Sequence, residues 1–364
     1  MGERFELERF LKDQIAAGTF PGASYLVSEG GRVLAEDAFG MAVLLPERLP
    51  ASTSTLYDLA SLTKPLSTAL LALQLHSEGR ASLEMPLSRL LPGWRDAPDR
   101  EGVSLLDLLT HRSGLPGWAP LYIHARDRDG RIAWMTRVPL ACPPGTQVIY
   151  SDLGSMLAGF ALEALTGQPL ELLFRERVSR PLGLDDLLYR PGPARRRLVA
   201  ATELGNERER LLAGPEGAGY NEWRTGMIWG EVHDFNAQTL GGVAGHAGLF
   251  GTARAVWSVA QAFLGDGKGV VPESARPLFS KSLTVGLAEE RAAGFQMAST
   301  PGCSAGEALS RGSYGHTGFT GTSLWIDPER ARVYVLLTNR VHPRFHDISM
   351  NAIRREFHDL AAAL

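Results

Sequence analysis

The chain has 364 residues, of which 44% are hydrophobic and 21% charged, a composition that excludes a mainly disordered protein and allows a large apolar core. The formal net charge of -3 and the isoelectric point near 6.3 leave no basic surplus to attract phosphate backbones or anionic lipid. Nucleic acid is therefore not expected as a partner.

The cysteines and the first residues bear on redox chemistry and location. Cys142 and Cys303 are the only cysteines. Their wide separation fits neither a disulfide framework nor a cysteine zinc site, although one disulfide between them stays open. The charged segment 1–11 lacks the apolar core of a secretion signal, so we expect a cytoplasmic location unless a leader has been trimmed away. No apolar run approaches the roughly 20 residues that span a bilayer.

The first elements are a helix and a β-hairpin. Apolar residues recur at three- and four-residue steps over residues 5–17, which predicts a helix. Two β-prone runs follow, at 23–27 and 32–38, separated by a glycine-rich turn at 29–31. The chain therefore begins with a helix and two antiparallel strands.

The middle of the chain, about 61–263, reads as helices and long loops rich in glycine and proline. Apolar segments predict helices at 66–76, 105–110 and 153–165. No internal repeat or low-complexity tract is visible.

The far end mirrors the beginning. Residues 321–326 and 332–338 are β-prone runs joined by a turn, and a helical tail follows over 348–364. Both ends of the chain therefore supply strands and a covering helix.

This order predicts an α+β fold, with an antiparallel sheet built from both chain ends, flanked by helices, and a mostly helical region inserted between its strands. We expect one catalytic domain over 1–364. Its sheet subdomain would comprise about 1–60 and 265–364, and its helical subdomain about 61–264. The active site would lie at their junction.

Ser61 and Lys64 stand where a loop becomes a helix, and residues three apart share a helix face. Lys64 would then lie beside the Ser61 hydroxyl as a base beside a nucleophile. A lysine with a pKa near 10.4 is a poor base at neutral pH, but burial and the positive helix end favour its uncharged form. A helix cap followed by a surface lysine explains the motif equally well when it is taken alone.

Tyr150 and Asp152 stand at the end of a turn-rich loop, immediately before the predicted helix at 153–165. A tyrosine at that place could relay protons. Taken alone, it is more commonly a structural tyrosine at a helix start.

His316-Thr317-Gly318 opens the β-prone segment near the C-terminus, and Gly318 would let another backbone or a ligand approach the strand closely. A substrate could lie along that edge. An isolated tripeptide of this kind means little, so the ordered combination of the three motifs carries the interpretation.

Read in order, Ser61-x-x-Lys64, Tyr150-x-Asp152 and His316-Thr317-Gly318 resemble the three signature elements of serine β-lactamases and penicillin-binding proteins. The tyrosine in the second motif is similar to the branch of class C β-lactamases, D,D-carboxypeptidases and family VIII esterases. Connecting segments also resemble this superfamily, in its order, from about residue 20 to residue 343. They lie at 108–115, 144–152, 180–184 and 245–250.

The resemblance implies a β-lactamase/transpeptidase-like fold and catalysis through a covalent acyl-enzyme. Ser61 would attack a carbonyl, while Lys64 and Tyr150 would remove and return protons. The backbone N–H groups of Ser61 and Phe319 would form the oxyanion hole. Neither a metal nor a cofactor is implied.

The resemblance assigns substrate binding to Asp152, His316, Thr317 and Gly318, with two departures from the usual pattern. Many members that recognise β-lactams carry lysine where this chain has His316, and imidazole is largely neutral above about pH 6.5. Asp152 replaces a frequent asparagine and loses an amide donor. Both changes argue against efficient β-lactam turnover.

The expected function is hydrolysis of a small ester or amide, with a carboxylesterase ahead of a D-amino-acid peptidase, a D,D-carboxypeptidase or a β-lactamase. The partner would be a small-molecule ester, amide or β-lactam, and the sequence does not indicate an oligomeric state. A noncatalytic penicillin-binding or scaffold module is an alternative that the joint presence of the three motifs opposes. A metal site formed by His233, Asp234 and His246 is another, which no tight ligand spacing supports.

Overall fold

The computed structural model describes residues 2–95 and 97–364. Its strands form a seven-stranded antiparallel sheet in the order β3-β2-β1-β10-β9-β8-β7 and a small sheet in the order β4-β6-β5. Their bounds are β1 Gly22–Glu29, β2 Arg32–Val43, β3 Leu49–Pro50, β4 Tyr57–Asp58, β5 Leu187–Tyr189, β6 Leu249–Gly251, β7 Gln296–Met297, β8 Tyr314–Thr317, β9 Ser323–Asp327 and β10 Arg332–Thr338.

Helices account for most of the remaining regular structure. Their bounds are α1 Gly2–Ala16, α2 Leu70–Ser77, α3 Leu87–Leu90, α4 Leu105–Leu109, α5 Leu121–His124, α6 Arg128–Met135, α7 Asp152–Thr166, α8 Leu170–Phe174, α9 Arg180–Leu182, α10 Glu207–Ala213, α11 Phe235–Gln238, α12 Ala253–Leu264, α13 Arg276–Ser280 and α14 Met350–Ala362. Across the residues described, no helix is both long enough and apolar enough to cross a bilayer.

The pairing of β1 with β10 joins the two ends of the chain. Ala23 lies opposite Thr338 and Glu29 opposite Arg332, so the strands pair along almost their whole length. β1 turns into β2 through Gly30 and Gly31, which both have positive φ and suit a tight hairpin. The predicted α+β fold with an antiparallel sheet from both chain ends is therefore confirmed.

Helices cover both faces of the large sheet. α1 and α14 pack together on one face, where Leu7, Trp325 and Phe357 belong to one apolar cluster. α12 packs on β1 and β10, and its Trp257 Nε1 donates to Ser28 Oγ at 2.7 Å. This burial excludes water from both faces of the sheet, which stabilises the scaffold of the site.

The helical region is organised around α7, whose residues from Leu153 to Leu162 are all buried. Gly159 on this helix lies so close to Gly245 that a Cβ at residue 159 would come within 2.9 Å of it. The contact draws the 245–247 loop onto α7, and Thr68 Oγ1 holds the same loop by donating to Gly245 O at 2.7 Å. Helix and loop thus meet beside Lys64.

Three expectations need correction or completion. His316 and Thr317 close strand β8 instead of opening a strand, because the chain turns at Gly318, whose N–H donates to Thr322 O at 2.8 Å. The small sheet was not expected, since strands of two or three residues show no alternation in sequence. Cys142 and Cys303 are both free thiols, so the disulfide left open is not formed.

Candidate active site

Ser61 lies in a 3-10 turn, Ala60–Leu62, directly after strand β4. Ala60 has a φ of 48°, in the left-handed region that costs a residue other than glycine roughly 1–3 kcal/mol. The Asp58 carboxylate holds this turn by accepting the Ala60 N–H at 2.8 Å. A strained turn fixed by a buried side chain therefore presents Ser61.

Lys64 begins a π-helical turn, Lys64–Ala69, that continues into α2. Its side chain is 3% exposed, and Nζ lies 2.9 Å from Ser61 Oγ and 3.1 Å from His246 O. The Asp152 Oδ1 atom, at the start of α7, is 2.7 Å from the same nitrogen. An ammonium group has three donors, and three oxygens surround this one.

The expected uncharged state of Lys64 is wrong for this arrangement. Burial alone would lower the pKa of Lys64, but the charge of Asp152 and the nearby Tyr150 outweigh it, so the pKa is raised. Lys64 is therefore an ammonium group at neutral pH, and it can give a hydrogen bond to Ser61 but cannot accept its proton.

Tyr150 lies beside this pair. Its ring centroid is 4.9 Å from Lys64 Nζ, and its hydroxyl is close enough to Lys64 and Ser61 for hydrogen bonding to both to affect its pKa. Burial raises the pKa of Tyr150 above its ordinary value, although Lys64 opposes that rise. The phenol and the ammonium can therefore accept a proton from Ser61 only after the pair has lost one.

His111 holds Tyr150 from the side and was given no role by sequence reasoning. The two ring centroids are 4.6 Å apart, and His111 Nδ1 accepts the Ser151 N–H at 3.0 Å. Burial, followed by the charges of Arg291 and Lys64, holds the pKa of His111 well below its ordinary value. A neutral imidazole therefore fixes the loop that carries Tyr150; its only sequence signal was its place in the family-like segment 108–115.

His316 lies on the other side of Tyr150, with the ring centroids 5.7 Å apart. Burial first, and then the charges of Arg291 and Lys64, lower the pKa of His316 well below its ordinary value. The residue that replaces the usual lysine is therefore a neutral imidazole in this site. It cannot supply a cation for a substrate carboxylate.

Arg291 is a buried arginine near Tyr150 and His316. Its guanidinium carbon lies 5.3 Å from the Tyr150 ring centroid, and the residue is 5% exposed. One terminal nitrogen is paired with Glu289, while Nε and Nη1 have no partner among the described residues. No motif surrounds this arginine in sequence, so only the fold brings it to the site.

Two backbone amides meet at Ser61. A Cβ at Gly318 would lie 2.7 Å from Leu59 O, so the absence of a side chain lets the end of β8 pack against the turn that carries Ser61. The N–H groups of Ser61 and Phe319 donate to no other group within the part of the chain that the structure describes. Two free amides on adjoining turns can stabilise an oxyanion.

Two cavities meet at Ser61, and Asp152 and Phe319 line both of them. We call the larger one, of about 450 Å³, the arginine cavity, because Arg291 and Arg354 line it together with His316. The smaller one, of about 220 Å³, contains acidic and aromatic side chains and is called the acidic cavity. A substrate bound across Ser61 would extend into both.

The three residues considered as a metal site are divided between two pairs. His246 Nε2 lies 2.9 Å from Asp234 Oδ1, and His233 Nε2 lies 2.9 Å from Glu203 Oε2. Across 2–95 and 97–364, no group of three or more histidine, cysteine or acidic residues is arranged to hold a metal ion.

The fold brings the predicted residues of all three motifs to one place. Ser61, Lys64, Tyr150 and Asp152 form one cluster, and the end of β8 adds His316, Thr317, Gly318 and Phe319 along its edge. The catalytic and binding roles of these residues remain predictions.

Comparison with known proteins gives a consistent family relationship. The family model described as Beta-lactamase matches residues 7–358. A protein of Escherichia coli (strain K12) named as a D-alanyl-D-alanine carboxypeptidase is 33% identical over 377 residues, covering 95% of this chain and 84% of its own length. An N-acetylmuramyl-L-alanine amidase of Bacillus subtilis (strain 168) is 32% identical over 367 residues, covering 93% and 81%.

Solved structures agree on the fold. EstCE1, described as a hydrolase with promiscuous acyltransferase activity, superposes with a TM-score of 0.76 at 21% identity, covering 99% of this chain and 98% of its own. At that identity the likeness extends to the architecture alone.

Proposed function

The chain belongs to the beta-lactamase family, and we propose that within it this serine hydrolase is an amidohydrolase that cleaves an amide bond next to a free carboxylate. Ser61 is the nucleophile in this proposal, and the Lys64–Tyr150 pair moves the protons. The amides of Ser61 and Phe319 bind the oxyanion. The cytoplasmic location remains a prediction.

The observation that carries the proposal is Arg291, with two unpartnered nitrogens in the wall of the arginine cavity. Nε and Nη1 lie on different edges of the guanidinium, so either can give a carboxylate one charge-assisted hydrogen bond, which is roughly twice as strong as a neutral one. Arg354, the other buried arginine of that wall, gives both terminal nitrogens to Asn351 and to the carbonyls of Gly318 and Thr322. Arg340 also lines this wall and donates from Nε to Phe319 O at 2.7 Å. Of the two buried arginines, Arg291 alone keeps a terminal nitrogen, Nη1, without a partner among the described residues, so we assign the carboxylate of the leaving group to it.

The same geometry weakens the sequence-based case for esters. That case depended on a weakened carboxylate site at His316, and Arg291 provides a cation near it. Asp152 lacks the amide donor of the usual asparagine, but it is paired with Lys64 and raises the pKa of that lysine. Amides need protonation of the leaving nitrogen more than esters do, and the charged Lys64 is a suitable donor.

The names of the similar proteins support the same class of bond. The names D-alanyl-D-alanine carboxypeptidase and N-acetylmuramyl-L-alanine amidase both describe cleavage of an amide bond, and both proteins are at least 32% identical to this chain. A leaving group of the D-alanine type carries the carboxylate that Arg291 would bind. We therefore choose D-alanyl-D-alanine as the first substrate to test.

The reaction proceeds in two halves. The Lys64–Tyr150 pair, after losing one proton, takes the Ser61 hydroxyl proton as Oγ bonds to the carbonyl carbon. The same proton passes to the leaving nitrogen as the C–N bond breaks, which leaves an acyl-serine. Water then attacks the acyl carbon, gives one proton to the pair, and the pair returns it to Ser61 as the acid leaves.

The test measures the rate at which the amide bond between the two alanines is cleaved in D-alanyl-D-alanine, in its free and N-acetylated forms, and in D-alanyl-D-alaninamide, which lacks the carboxylate. The wild type should release product from at least one carboxylate form, with a kcat/KM at least about tenfold above that for the amide form. Ser61→Ala should abolish release. Arg291→Gln should remove the preference for the carboxylate, whereas Arg311→Gln, at an exposed arginine, should keep it.

Other outcomes redirect the proposal. Release from the carboxylate and amide forms at equal rates would remove the role of Arg291. Turnover of a nitrophenyl ester with no turnover of any of these peptides would return the carboxylesterase to first place.

A further inference from the structure

The acidic cavity contains polar atoms that the proposed mechanism does not use. It shares Ser61 and Asp152 with the arginine cavity, and Trp118 and Leu212 contribute apolar walls. Its volume of about 220 Å³ is smaller than the roughly 300–1,000 Å³ of pockets for drug-sized ligands. The cavity therefore suits a single small residue beside the nucleophile.

Glu209, on α10, has one carboxyl oxygen without a partner. The residue is 6% exposed, and its Oε1 accepts the Phe235 N–H at 2.8 Å. Oε2 is buried and has no hydrogen bond among the described residues. A buried polar atom left in this state costs about 1–3 kcal/mol, so a ligand group that bonds to it is stabilised.

His246 provides a second unpartnered atom in the same cavity. Its Nε2 lies 2.9 Å from Asp234 Oδ1. Burial opposes ionisation of Asp234, but His246 and the Ala237 N–H outweigh it and lower the pKa of Asp234. His246 Nε2 therefore donates to a carboxylate. With the imidazole proton on Nε2, the buried Nδ1 is an acceptor without a partner among the described residues.

Four carboxyl side chains line this cavity, those of Asp58, Asp152, Glu209 and Asp234. Asp58 already receives the N–H groups of Ala60 and His233, and Lys64 is paired with Asp152. Arg208 also lines the cavity; its guanidinium carbon lies 4.9 Å from the Phe345 ring centroid, and its buried Nε has no hydrogen-bond partner among the described residues.

The charged side chains behind the lining residues of the cavity are bonded to other protein groups. Glu203 is paired with His233, and Arg224 donates to the backbone carbonyls of Val232 and His233. Among the described residues, the unpartnered acceptors of the cavity are Glu209 Oε2 and, with the imidazole proton on Nε2, His246 Nδ1. A primary ammonium group presents three donors and a positive charge, which matches two acceptors between apolar walls.

We infer that the acidic cavity binds the free amine of the residue that supplies the acyl group, with Glu209 and His246 as its acceptors. This inference rests on the proposed amidohydrolase function and narrows its substrate class. The preferred substrate then carries an ammonium group on the acyl side of the scissile bond and a carboxylate on the leaving side.

The state of Glu209 agrees with a cationic ligand. Burial, followed by the charge of Asp234, raises the pKa of Glu209 well above its ordinary value. Without a counter-charge its carboxyl group is neutral. An ammonium group provides that counter-charge, so the carboxylate forms when the substrate binds.

The position of His246 connects this cavity to the reaction. Its backbone oxygen accepts from Lys64 Nζ at 3.1 Å, while its imidazole lines the acidic cavity. A ligand held by the imidazole is therefore held next to the proton-transfer pair. Binding of the substrate amine in this cavity would therefore hold the scissile carbonyl group next to Ser61, in a geometry that favours attack.

The experiment compares D-alanyl-D-alanine with propanoyl-D-alanine, which lacks only the amine and is no bulkier. Wild-type kcat/KM should be at least about tenfold higher for the dipeptide. Glu209→Gln keeps the oxygen that accepts from Phe235 N–H, and it should bring the two substrates within about twofold of each other. Glu207→Gln makes the same change at an exposed position of α10 and should keep the full preference.

Calorimetric binding to Ser61→Ala separates this inference from the proposed function. If the wild type cleaves propanoyl-D-alanine or N-acetyl-D-alanyl-D-alanine at least as well as the free dipeptide, the amine subsite is wrong and the amidohydrolase stands. If the wild type cleaves none of these substrates, the proposed function fails, and calorimetric binding to Ser61→Ala then tests the amine subsite by itself. Tighter binding of the dipeptide than of propanoyl-D-alanine would then support the subsite, and equal or undetectable binding would overturn it.

Should Glu209→Gln fail to fold, as thermal unfolding would show, the two substrates compared on the wild type still decide the matter.

Discussion

The Asp152 carboxylate lies 2.7 Å from the Lys64 ammonium, which also donates to Ser61 Oγ at 2.9 Å. This contact connects the second motif to the Lys64–Tyr150 pair of the proposed mechanism. Because the pKa values of Lys64 and Tyr150 are both raised, the resting pair holds one proton too many to accept another from Ser61. The pair must lose a proton before the nucleophile can attack.

We therefore expect activity to rise with pH. A raised pKa means that Lys64 and Tyr150 stay protonated through neutral pH, so the competent form is a minority there and grows as pH increases. On the acid limb, kcat/KM should fall about tenfold for each pH unit. A profile from pH 6 to pH 10, with folding checked at each point, measures this, and a rate independent of pH would contradict it.

Asp152→Asn should move that acid limb to lower pH. Burial lowers the pKa of Lys64 and only its partners raise it, so removal of the carboxylate charge lets burial prevail. Asp152 also raises the pKa of Tyr150, which shifts in the same direction. A displacement of about one pH unit or more is expected. Asp129→Asn, at an exposed position, should leave the profile in place, and an unmoved limb in Asp152→Asn would count against the coupling.

Gly318→Ala should impair catalysis more than stability. The new Cβ would meet Thr322 Oγ1 and lie 2.7 Å from Leu59 O, forcing apart the two turns that carry the amides of Ser61 and Phe319. Loss of one oxyanion donor lowers kcat by about 10²–10³. Steady-state kinetics with a thermal melt would show this. Gly219→Ala, where a Cβ meets nothing within 4 Å, is the matched control, and near-wild-type kcat in Gly318→Ala would reject the oxyanion role.

Arg354 positions the same turn from α14. Its Nη2 donates to Gly318 O at 2.7 Å and to Thr322 O at 3.0 Å. Burial, with Arg340 nearby, lowers its pKa to about 9. Arg354→Met should cost roughly 2–3 kcal/mol of unfolding free energy.

Arg354→Met should also lower kcat more than it raises KM, because the turn carries an oxyanion amide and the substrate carboxylate binds elsewhere. Urea unfolding and steady-state kinetics measure both effects, with exposed Arg344→Met as the control. A rise in KM alone would instead make Arg354 a substrate ligand.

The sequence predicted the outer architecture because long strands carry a clear signal. The strand predicted at 332–338 matches β10, and the hairpin at 23–38 matches β1 and β2 apart from the strand ends. Alternation and a glycine turn suffice there, since both features are local. The three short strands of the small sheet depend on long-range pairing, which leaves no such pattern.

The candidate site divides in the same way. Ser61, Lys64 and Tyr150 stand in motifs whose order indicates a family, so they could be named in advance. Arg291 and His111 lie in none of the three motifs. Only the folding of the chain brings them close to Tyr150. The charge of Lys64 was misjudged because burial could be anticipated from sequence, whereas the 2.7 Å contact with Asp152 is a property of the packed structure.

A buried histidine far from the reaction should make the protein sensitive to acid. Burial lowers the pKa of His358 to about 3, while its Nδ1 lies 2.8 Å from Ser304 O. Between pH 6.5 and pH 4.5 the unfolded chain binds a proton at this residue and the folded chain does not. Stability therefore falls as pH decreases, by about 3 kcal/mol from this histidine.

His358→Gln should remove that part of the pH dependence. The substitution also changes the unfolding free energy at neutral pH, so the quantity to compare is the loss of stability between the two pH values. Urea unfolding at pH 7 and pH 4.5 gives the difference for each variant. Exposed His346→Gln should lose as much stability on acidification as the wild type does. If His358→Gln loses the same amount as well, then His358 is protonated in the folded protein near its ordinary pKa, and acid sensitivity must arise from other buried groups such as His111 and His316, whose pKa values are also lowered.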